Sequence, residues 1–270
     1  MTALTTVNAD DKFEATLKLL EAGDYESARA NFHELAVKAE ANETKSTYTL
    51  GELLALVKLD RTSEARRLLK VSDSFLRETD EGQVRAALIE VQIDSVEGIW
   101  GHVLPSLDRM LREYKQILND PQLRDVYEEI QLRRGMRLAF LGRFREALPI
   151  LEEVVSFNNP ALLSGEFWYE MGKCYVDAGD FEKAGEAYSK ALGYGLDDVR
   201  ASHAHWEVAV ILMRNESHAR ALGELGLAEK HATAANIEKK NIYKAMSVAF
   251  FKLGMKEEGT RYATLAGVKH

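Results

Sequence analysis

A histidine and carboxylate cluster is the first feature of this 270-residue sequence that could do chemistry. His203 and His205 are two residues apart, and on a helix this spacing turns their side chains about 200° away from each other. Glu207 follows His203 by four residues, so that pair shares a face and could give two metal ligands. Zinc sites in proteins normally use three or four protein ligands. Because no further ligand is identifiable, we expect ordinary helix-surface histidines and no metal.

The other residues that could do chemistry are a cysteine and two glycine-containing segments. Cys174 is the only cysteine, which excludes an internal disulfide. No neighbouring residue would lower its pKa, so we predict a buried, inert thiol. Gly172-Lys173-Cys174 lacks the upstream glycine and the Ser/Thr of a phosphate loop, and Gly193-x-Gly195 lacks the third glycine of a dinucleotide site. HExxH, GxSxG and CxxC motifs are absent. We therefore expect a non-enzymatic protein without a cofactor.

Composition indicates the elements that carry these residues. The sequence is 46% hydrophobic and 29% charged, with only four prolines, and it is rich in strong helix formers. Its first twenty residues lack the features of a secretory signal, and no apolar run approaches the roughly 20 residues that span a bilayer. A net charge of −8 disfavours nonspecific nucleic-acid binding. We predict a helical cytoplasmic protein that binds neither nucleic acid nor membrane.

The helices recur along the chain in pairs. Trp168, Met171, Gly172 and Tyr175 have the i, i+3, i+4, i+7 spacing of one helix face, and Gly179-Asp180 then ends that helix and caps the next. A small residue marks the second helix of each pair, at intervals of 37, 38, 44, 37, 37 and 38 residues. These markers are Ala28, Ala65, Val103, Ala147, Ala184, Ala221 and Gly259.

The pattern Trp168-x2-Met171-Gly172-x2-Tyr175, followed by Ala184-x3-Tyr188, resembles a tetratricopeptide repeat (TPR). The resemblance implies an all-α, right-handed superhelical solenoid of antiparallel helix pairs, with about seven repeats of about 37 residues. We expect a single domain, 1–270, whose first repeat begins near residue 9, leaving no room for a catalytic or DNA-binding segment.

The third repeat departs most from the pattern. Its 44-residue interval adds about seven residues around Asn119–Pro121, which predicts a longer helix, a changed pitch or a hinge, with a possible sub-boundary near 118–126. Pro105 is expected early in the second helix of this repeat, where a missing N–H costs little.

The resemblance also implies a concave binding groove lined by the first helix of each repeat. Tyr and Trp are common binding anchors, and Met adapts to irregular partners. The alternative is that these side chains pack between neighbouring helices. The predicted groove residues are Leu132, Arg133, Met136, Phe140, Tyr169, Lys173, Val176, Trp206, Val210, Met213, Arg214, Val248, Phe251 and Lys252.

Arginines concentrate in one region only. We expect salt bridges with acids such as Glu128 and Glu129, and the alternative is a site for an acidic peptide or RNA. The six are Arg124, Arg133, Arg134, Arg137, Arg143 and Arg145.

These features predict an interaction module, an adaptor or scaffold that binds a peptide or helix of a partner protein in its groove. A second hypothesis is a structural subunit that self-associates, as a homodimer for example, through its end repeats. A peptide-sensing regulator or an enzyme ranks below both.

Overall fold

The computed structural model describes residues 11–268, and within that range it contains fourteen α-helices and no strand. The expected all-α fold of helix hairpins is confirmed, whereas the predicted start of the first repeat near residue 9 lies outside the described residues. The helices are α1 (Asp11–Ala22), α2 (Tyr25–Lys38), α3 (Asn42–Lys58), α4 (Thr62–Leu76), α5 (Asp80–Val96), α6 (Trp100–Glu113), α7 (Arg124–Phe140), α8 (Phe144–Ser156), α9 (Gly165–Ala178), α10 (Phe181–Tyr194), α11 (Asp198–Arg214), α12 (His218–Ala234), α13 (Lys240–Lys252) and α14 (Lys256–Leu265).

The turns within hairpins follow the predicted chemistry. Gly179 ends α9 in the left-handed conformation with φ +78°, and the Asp180 side chain caps α10 by accepting the backbone N–H of Lys183 at 3.2 Å. Where glycine is absent, another residue adopts the same backbone conformation. Asp60 has φ +58° between α3 and α4, and Glu216 has φ +56° between α11 and α12. The hairpins therefore keep the same turn geometry where a residue other than glycine occupies the left-handed position.

Close approach of α9 and α10 requires a glycine at position 172. A Cβ built on Gly172 would lie 2.8 Å from Cε1 of Tyr188, which is shorter than a normal van der Waals contact. Tyr188 is fully buried. Its ring therefore occupies the space that a side chain at 172 would take, and Trp168, Met171 and Tyr175 are buried in the same hairpin.

The long third interval contains two short 3₁₀ turns, Ile117–Asn119 and Pro121–Leu123, and not a longer helix. The Asp120 side chain caps the second turn by accepting the backbone N–H of Gln122 at 2.9 Å.

Pro105 lies early in α6, as predicted, but past the first turn, so its missing N–H does remove a helix hydrogen bond. α6 begins at Trp100, so the proline is its sixth residue and lies beyond the first turn, where an N–H would normally donate to the carbonyl of Gly101. Gly101 is exposed, so its carbonyl can bond to water.

The chain divides into two compact units, Met1–Arg137 and Leu138–His270. In the first unit, Phe13 packs its ring against Phe32 and Tyr48, with centroids 6.2 and 5.3 Å apart, inside a core shared by α1 to α5. In the second unit, Leu225 and Met246 belong to a core shared by α11, α12 and α13. Each unit therefore has its own buried apolar interior, as helical repeats require.

Candidate binding surface

Two helices of the second unit, α9 and α11, present half of the predicted groove residues. The Ser164 hydroxyl caps α9 and the Asp197 carboxylate caps α11; they accept backbone N–H groups at 3.1 and 3.0 Å. The side chains in question recur at i, i+4 and i+7, which places them on one face of each helix. They are Tyr169, Lys173 and Val176 on α9 and Trp206, Val210 and Met213 on α11, with Arg214 next to Met213, and all but the exposed Arg214 are half-buried. We call this set the α9–α11 face.

Aromatic rings join the two helices. The His203 ring lies 5.7 Å from the ring of Tyr169 and 6.0 Å from that of Trp206. The Tyr169 hydroxyl is 3.2 Å from Nδ1 of His203. The buried Tyr188 ring also belongs to this cluster, with its centroid 5.9 Å from that of the Tyr169 ring. Edge-on ring pairs at these separations are favourable. The α9–α11 face is therefore continuous from one helix to the next.

Burial controls the ionisation of the polar groups in this cluster. It lowers the pKa of His203, assisted by the nearby Lys173 ammonium, and it raises the pKa of Glu207, which Arg214 partly opposes. Nε2 of His203 is 3.5 Å from the Glu207 carboxylate. Burial also raises the pKa of Tyr169 to about 12. The Tyr169 and His203 rings are thus uncharged near neutral pH, and the charges of this face are those of Lys173 and Arg214.

The predicted two-ligand pair does exist, because His203 and Glu207 are neighbours. Within residues 11–268, however, no three His, Cys, Asp or Glu side chains are grouped to hold a metal. His205 lies elsewhere: its Nδ1 is 2.7 Å from Glu224, and its ring stacks on His231 with centroids 5.5 Å apart. Both histidines contact protein groups that the sequence alone did not identify.

Two cations of the predicted groove, Lys173 and Arg214, are engaged by their own neighbours. Lys173 donates to the Glu170 carboxylate at 2.7 Å, and its ammonium lies 5.7 Å from the centre of the Tyr169 ring. The Arg214 guanidinium lies 3.9 Å from the centre of the Phe181 ring. Both side chains therefore contribute to packing, the alternative that the sequence left open. The buried Glu170 carboxylate was missed, although its i, i+3 spacing to Lys173 was a signal for the pair.

The predicted α13 residues are more exposed. Val248 and Phe251 are 43% and 42% exposed, and Lys252 is also exposed. The Phe251 ring also lies against Gly259 of α14, where a Cβ would be 2.8 Å from its Cδ1. Phe140, at the end of α7, is 69% exposed.

The remaining predicted residues, Leu132, Arg133 and Met136, lie in the first unit on α7 and are half-buried. Arg133 pairs with Glu129 at 2.7 Å, as expected for the arginine-rich region. Arg134 pairs with Asp108 at 2.6 Å.

Of the four remaining arginines, Arg145 is exposed and lies 4.0 Å from Asp177. Arg124 pairs with Glu128 and Arg143 with Glu146 at 2.8 and 2.7 Å, and the Arg137 guanidinium covers the Trp100 ring at 4.9 Å. Internal pairing therefore accounts for most of this basic concentration.

Cys174 is buried, and burial raises its pKa to about 12. A thiol with such a pKa is almost entirely protonated near neutral pH, and thiolate is the reactive form. The structure thus agrees with an inert thiol.

The helix hairpins described above are those of a helical-repeat protein. The family model for the tetratricopeptide repeat matches residues 132–198 and 169–237. Residues 132–237 of this chain therefore carry tetratricopeptide repeats, and the helix hairpins on either side of them have the same kind of fold. Repeats of this family are generally non-catalytic and bind other proteins, and the fold is consistent with an interaction module. No protein of curated function matches the chain by sequence similarity.

Solved structures share the fold at low identity. A signal-transduction ATPase (STAND) protein with a TPR sensor from Pyrococcus horikoshii is 16% identical with a TM-score of 0.62; the match covers 95% of this chain but 41% of that one. The chain thus spans well under half of that protein's length. The quorum sensor NprR from B. thuringiensis is 16% identical, with a TM-score of 0.52 over 94% of this chain and 85% of that one.

A Rap protein in complex with competence and sporulation factor is also similar. It is 12% identical with a TM-score of 0.54, over 94% of this chain and 74% of that one. At these identities the likeness concerns the fold alone. Among the described helices, none is long and apolar enough to cross a membrane.

Proposed function

We propose that the α9–α11 face binds an extended or helical segment of a partner protein, so that the chain acts as an adaptor or scaffold. One observation carries the proposal: Tyr169 and Trp206 stand half-exposed on adjacent helices and are joined through His203 into one continuous aromatic surface. Large aromatic side chains with few rotors are frequent binding hot spots.

Packing and binding are compatible for these side chains. Trp206 and Met213 pack against the core of α11 to α13 and yet remain partly exposed. A side chain that is already fixed by packing on one side loses little conformational freedom when its exposed side contacts a partner. The entropic cost of association is therefore lower. Val176 and Val210 add apolar area beside them, and such a patch fits apolar side chains of a peptide.

The similar structures support binding as a general role. One contains a TPR sensor, one is a quorum sensor, and one holds a competence and sporulation factor. From these we carry over only that arrays of this fold recognise another molecule; the identity of the partner is open.

Affinity purification from the native organism tests the proposal. Tagged wild type is compared with Tyr169→Ala and Trp206→Ala, and with Tyr194→Ala as a matched control. Tyr194 is 56% exposed at the end of α10, outside the α9–α11 face. We expect both groove variants to lose a partner that wild type and the control retain, with unchanged circular dichroism. If the two variants recover every wild-type partner at full yield, this face is not the binding site.

A second function is supported by a separate observation. Apolar side chains are exposed on the last hairpin, where Leu253, Leu265 and Val268 are 41%, 52% and 44% exposed. An exposed apolar patch of this kind would favour self-association, because a second copy of the chain can cover it. Size exclusion with light scattering is the test. We expect a concentration-dependent dimer that Leu265→Glu dissociates, and a strict monomer at high concentration would exclude this role.

A further inference from the structure

Helix α13 presents one exposed face that carries positive charge and apolar groups. Its exposed residues lie within about 120° of the helix circumference, because successive residues turn by about 100°. Three of them are lysines, two are the apolar Val248 and Phe251, and α13 contains no acidic residue. We call this set the α13 face; it consists of Lys240, Asn241, Lys244, Val248, Phe251 and Lys252.

The equivalent face of α11 is covered by the next hairpin. The small-residue markers of the last two repeats are 38 positions apart, so Val248 and Phe251 correspond to Val210 and Met213. Val210 and Met213 are half-buried, and Met213 packs against a core to which α13 contributes. Within residues 11–268 no hairpin follows α14. The α13 face is therefore a stacking surface that has no partner among the described residues.

Helix α1 presents a face of the opposite kind. Aligning the first marker on the last one places Asp11 and Ala15 at the positions of Ile242 and Met246. Those two α13 residues belong to a core shared with the preceding hairpin, α11 and α12. The exposed side of α1 is thus the side by which a later repeat packs on the one before it. We call it the α1 face; it consists of Asp11, Glu14, Ala15, Lys18, Glu21 and Ala22.

The α1 face carries an excess of negative charge. Outside this face, the three cations of the first hairpin all bind Glu26 or Glu34, and Asp24 caps α2. The face itself holds three carboxylates and one ammonium, and none of them forms an ion pair among the described residues. Two negative charges of this face are therefore left without an opposite charge in the same hairpin.

Positive charge predominates at the last hairpin. Residues 238–268 contain six lysines and arginines against three glutamates, so an excess of three positive charges remains with every carboxylate of the segment counted. Acids of the neighbouring helices have partners of their own: Glu207 lies 3.5 Å from His203, and Glu229 accepts a hydrogen bond from Tyr243. In the part of the chain that the structure describes, the lysines of the α13 face form no ion pair.

We propose that the α13 face binds the α1 face of a second copy of this chain. The proposal rests on the self-association proposed above and specifies which surfaces meet. The lysines of one face receive the carboxylates of the other, while Val248 and Phe251 pack against its two alanines, which leave room for large side chains. Opposite charge on the two faces also favours their encounter in solution.

The contact joins two different faces and is therefore heterologous. Each copy in a dimer keeps one unoccupied face of each kind, so association continues to longer chains as the concentration rises. A symmetric contact between two α13 faces fits less well. Six lysines would then meet with no carboxylate on either helix, and like charges at an interface oppose association.

Charge reversal on the full chain tests this contact, with size exclusion and light scattering as the measurement. The α13 variant is Lys240→Glu/Lys244→Glu/Lys252→Glu, and the α1 variant is Asp11→Lys/Glu14→Lys/Glu21→Lys. The control, Lys58→Glu/Arg67→Glu/Lys115→Glu, makes the same charge change as the α13 variant at exposed positions outside both faces. Circular dichroism checks that all variants keep their helices.

We expect the mass of wild type and control to rise with concentration beyond that of a dimer, and added salt to weaken the association. Each variant alone should associate more than about tenfold more weakly, because its two faces then carry charge of the same sign. An equimolar mixture of the α13 and α1 variants should associate again, and so should a chain that combines both sets of substitutions.

The possible failures are distinguishable. A wild type that stays monomeric at high concentration would exclude self-association itself, and this contact with it. If wild type dimerises and the α1 variant does so equally well, the chain self-associates through another surface, and only the contact proposed here is overturned. A mixture of the two variants that stays monomeric would likewise show that the α1 and α13 faces do not meet.

Discussion

Replacing Tyr188 with phenylalanine removes one oxygen from a fully buried side chain. Among residues 11–268, that hydroxyl has no hydrogen-bond partner, and burial raises its pKa well above the ordinary value, so it remains a neutral, unpaired polar group. Burying a hydroxyl without a partner costs about 1–3 kcal/mol, and the void left by one oxygen forfeits only a few tenths of a kcal/mol in packing. We therefore expect Tyr188→Phe to raise the free energy of unfolding by about 1 kcal/mol.

Urea denaturation followed by circular dichroism measures this change. With a slope of about 3 kcal/mol per molar urea, the midpoint should rise by about 0.3 M. Tyr175→Phe is the matched control, because the Tyr175 hydroxyl donates to the Glu152 carboxylate at 3.1 Å. Loss of that bond should lower stability by about 1 kcal/mol. If both variants are destabilised alike, the Tyr188 hydroxyl is satisfied, by water for example, and the reasoning is refuted.

Three further predictions follow from the same hairpins. Gly172→Ala should destabilise by about 1 kcal/mol, because the clash with Tyr188 exceeds the gain in helix propensity, whereas Gly223→Ala, with open space around it, should stabilise by about 0.5–1 kcal/mol in urea denaturation. Burial disfavours the protonated form of His203 in the folded chain, so below about pH 6.5 the unfolded chain binds a proton at this position more readily. Wild type should therefore lose more stability than His203→Gln as the pH falls from about 7 to 5. Cys174 should react with a thiol reagent only as fast as the chain unfolds.

Each of these predictions has a result that would contradict it. A stabilised Gly172→Ala variant would mean that α9 and α10 separate easily. Parallel pH–stability curves for wild type and His203→Gln would show that His203 titrates normally in the folded chain. Rapid labelling of Cys174 in native conditions, at the rate of a free thiol, would contradict its burial.

The hairpins could be predicted because their signals are local. Helix period, a left-handed turn residue and an N-cap lie within a few positions of one another, as at Gly179-Asp180. Turns without glycine were also locatable, since Asn215-Glu216-Ser217 separates two periodic segments. Gly98 marks the turn before α6, but the helix has no side-chain N-cap, so the sequence did not show that Pro105 lies beyond the first turn.

The candidate surface was only partly predictable. Spacing identifies which residues share a helix face, as for Tyr169 and Val176. It does not identify which cations turn toward neighbouring helices, and so the contact of Arg214 with Phe181 needed three-dimensional positions. The pair of Glu170 and Lys173, in contrast, has the i, i+3 spacing of neighbours on one helix.

Asp60 and Glu216 hold the left-handed backbone that glycine adopts without strain. For most side chains that conformation costs about 1–2 kcal/mol, of which a glycine would recover only part, since it is also freer in the unfolded chain. Evolution has therefore left two hairpins below their attainable stability, and the array still folds. For protein engineering, Asp60→Gly and Glu216→Gly are starting points for a more stable scaffold. The added stability could offset destabilising substitutions on the binding surface.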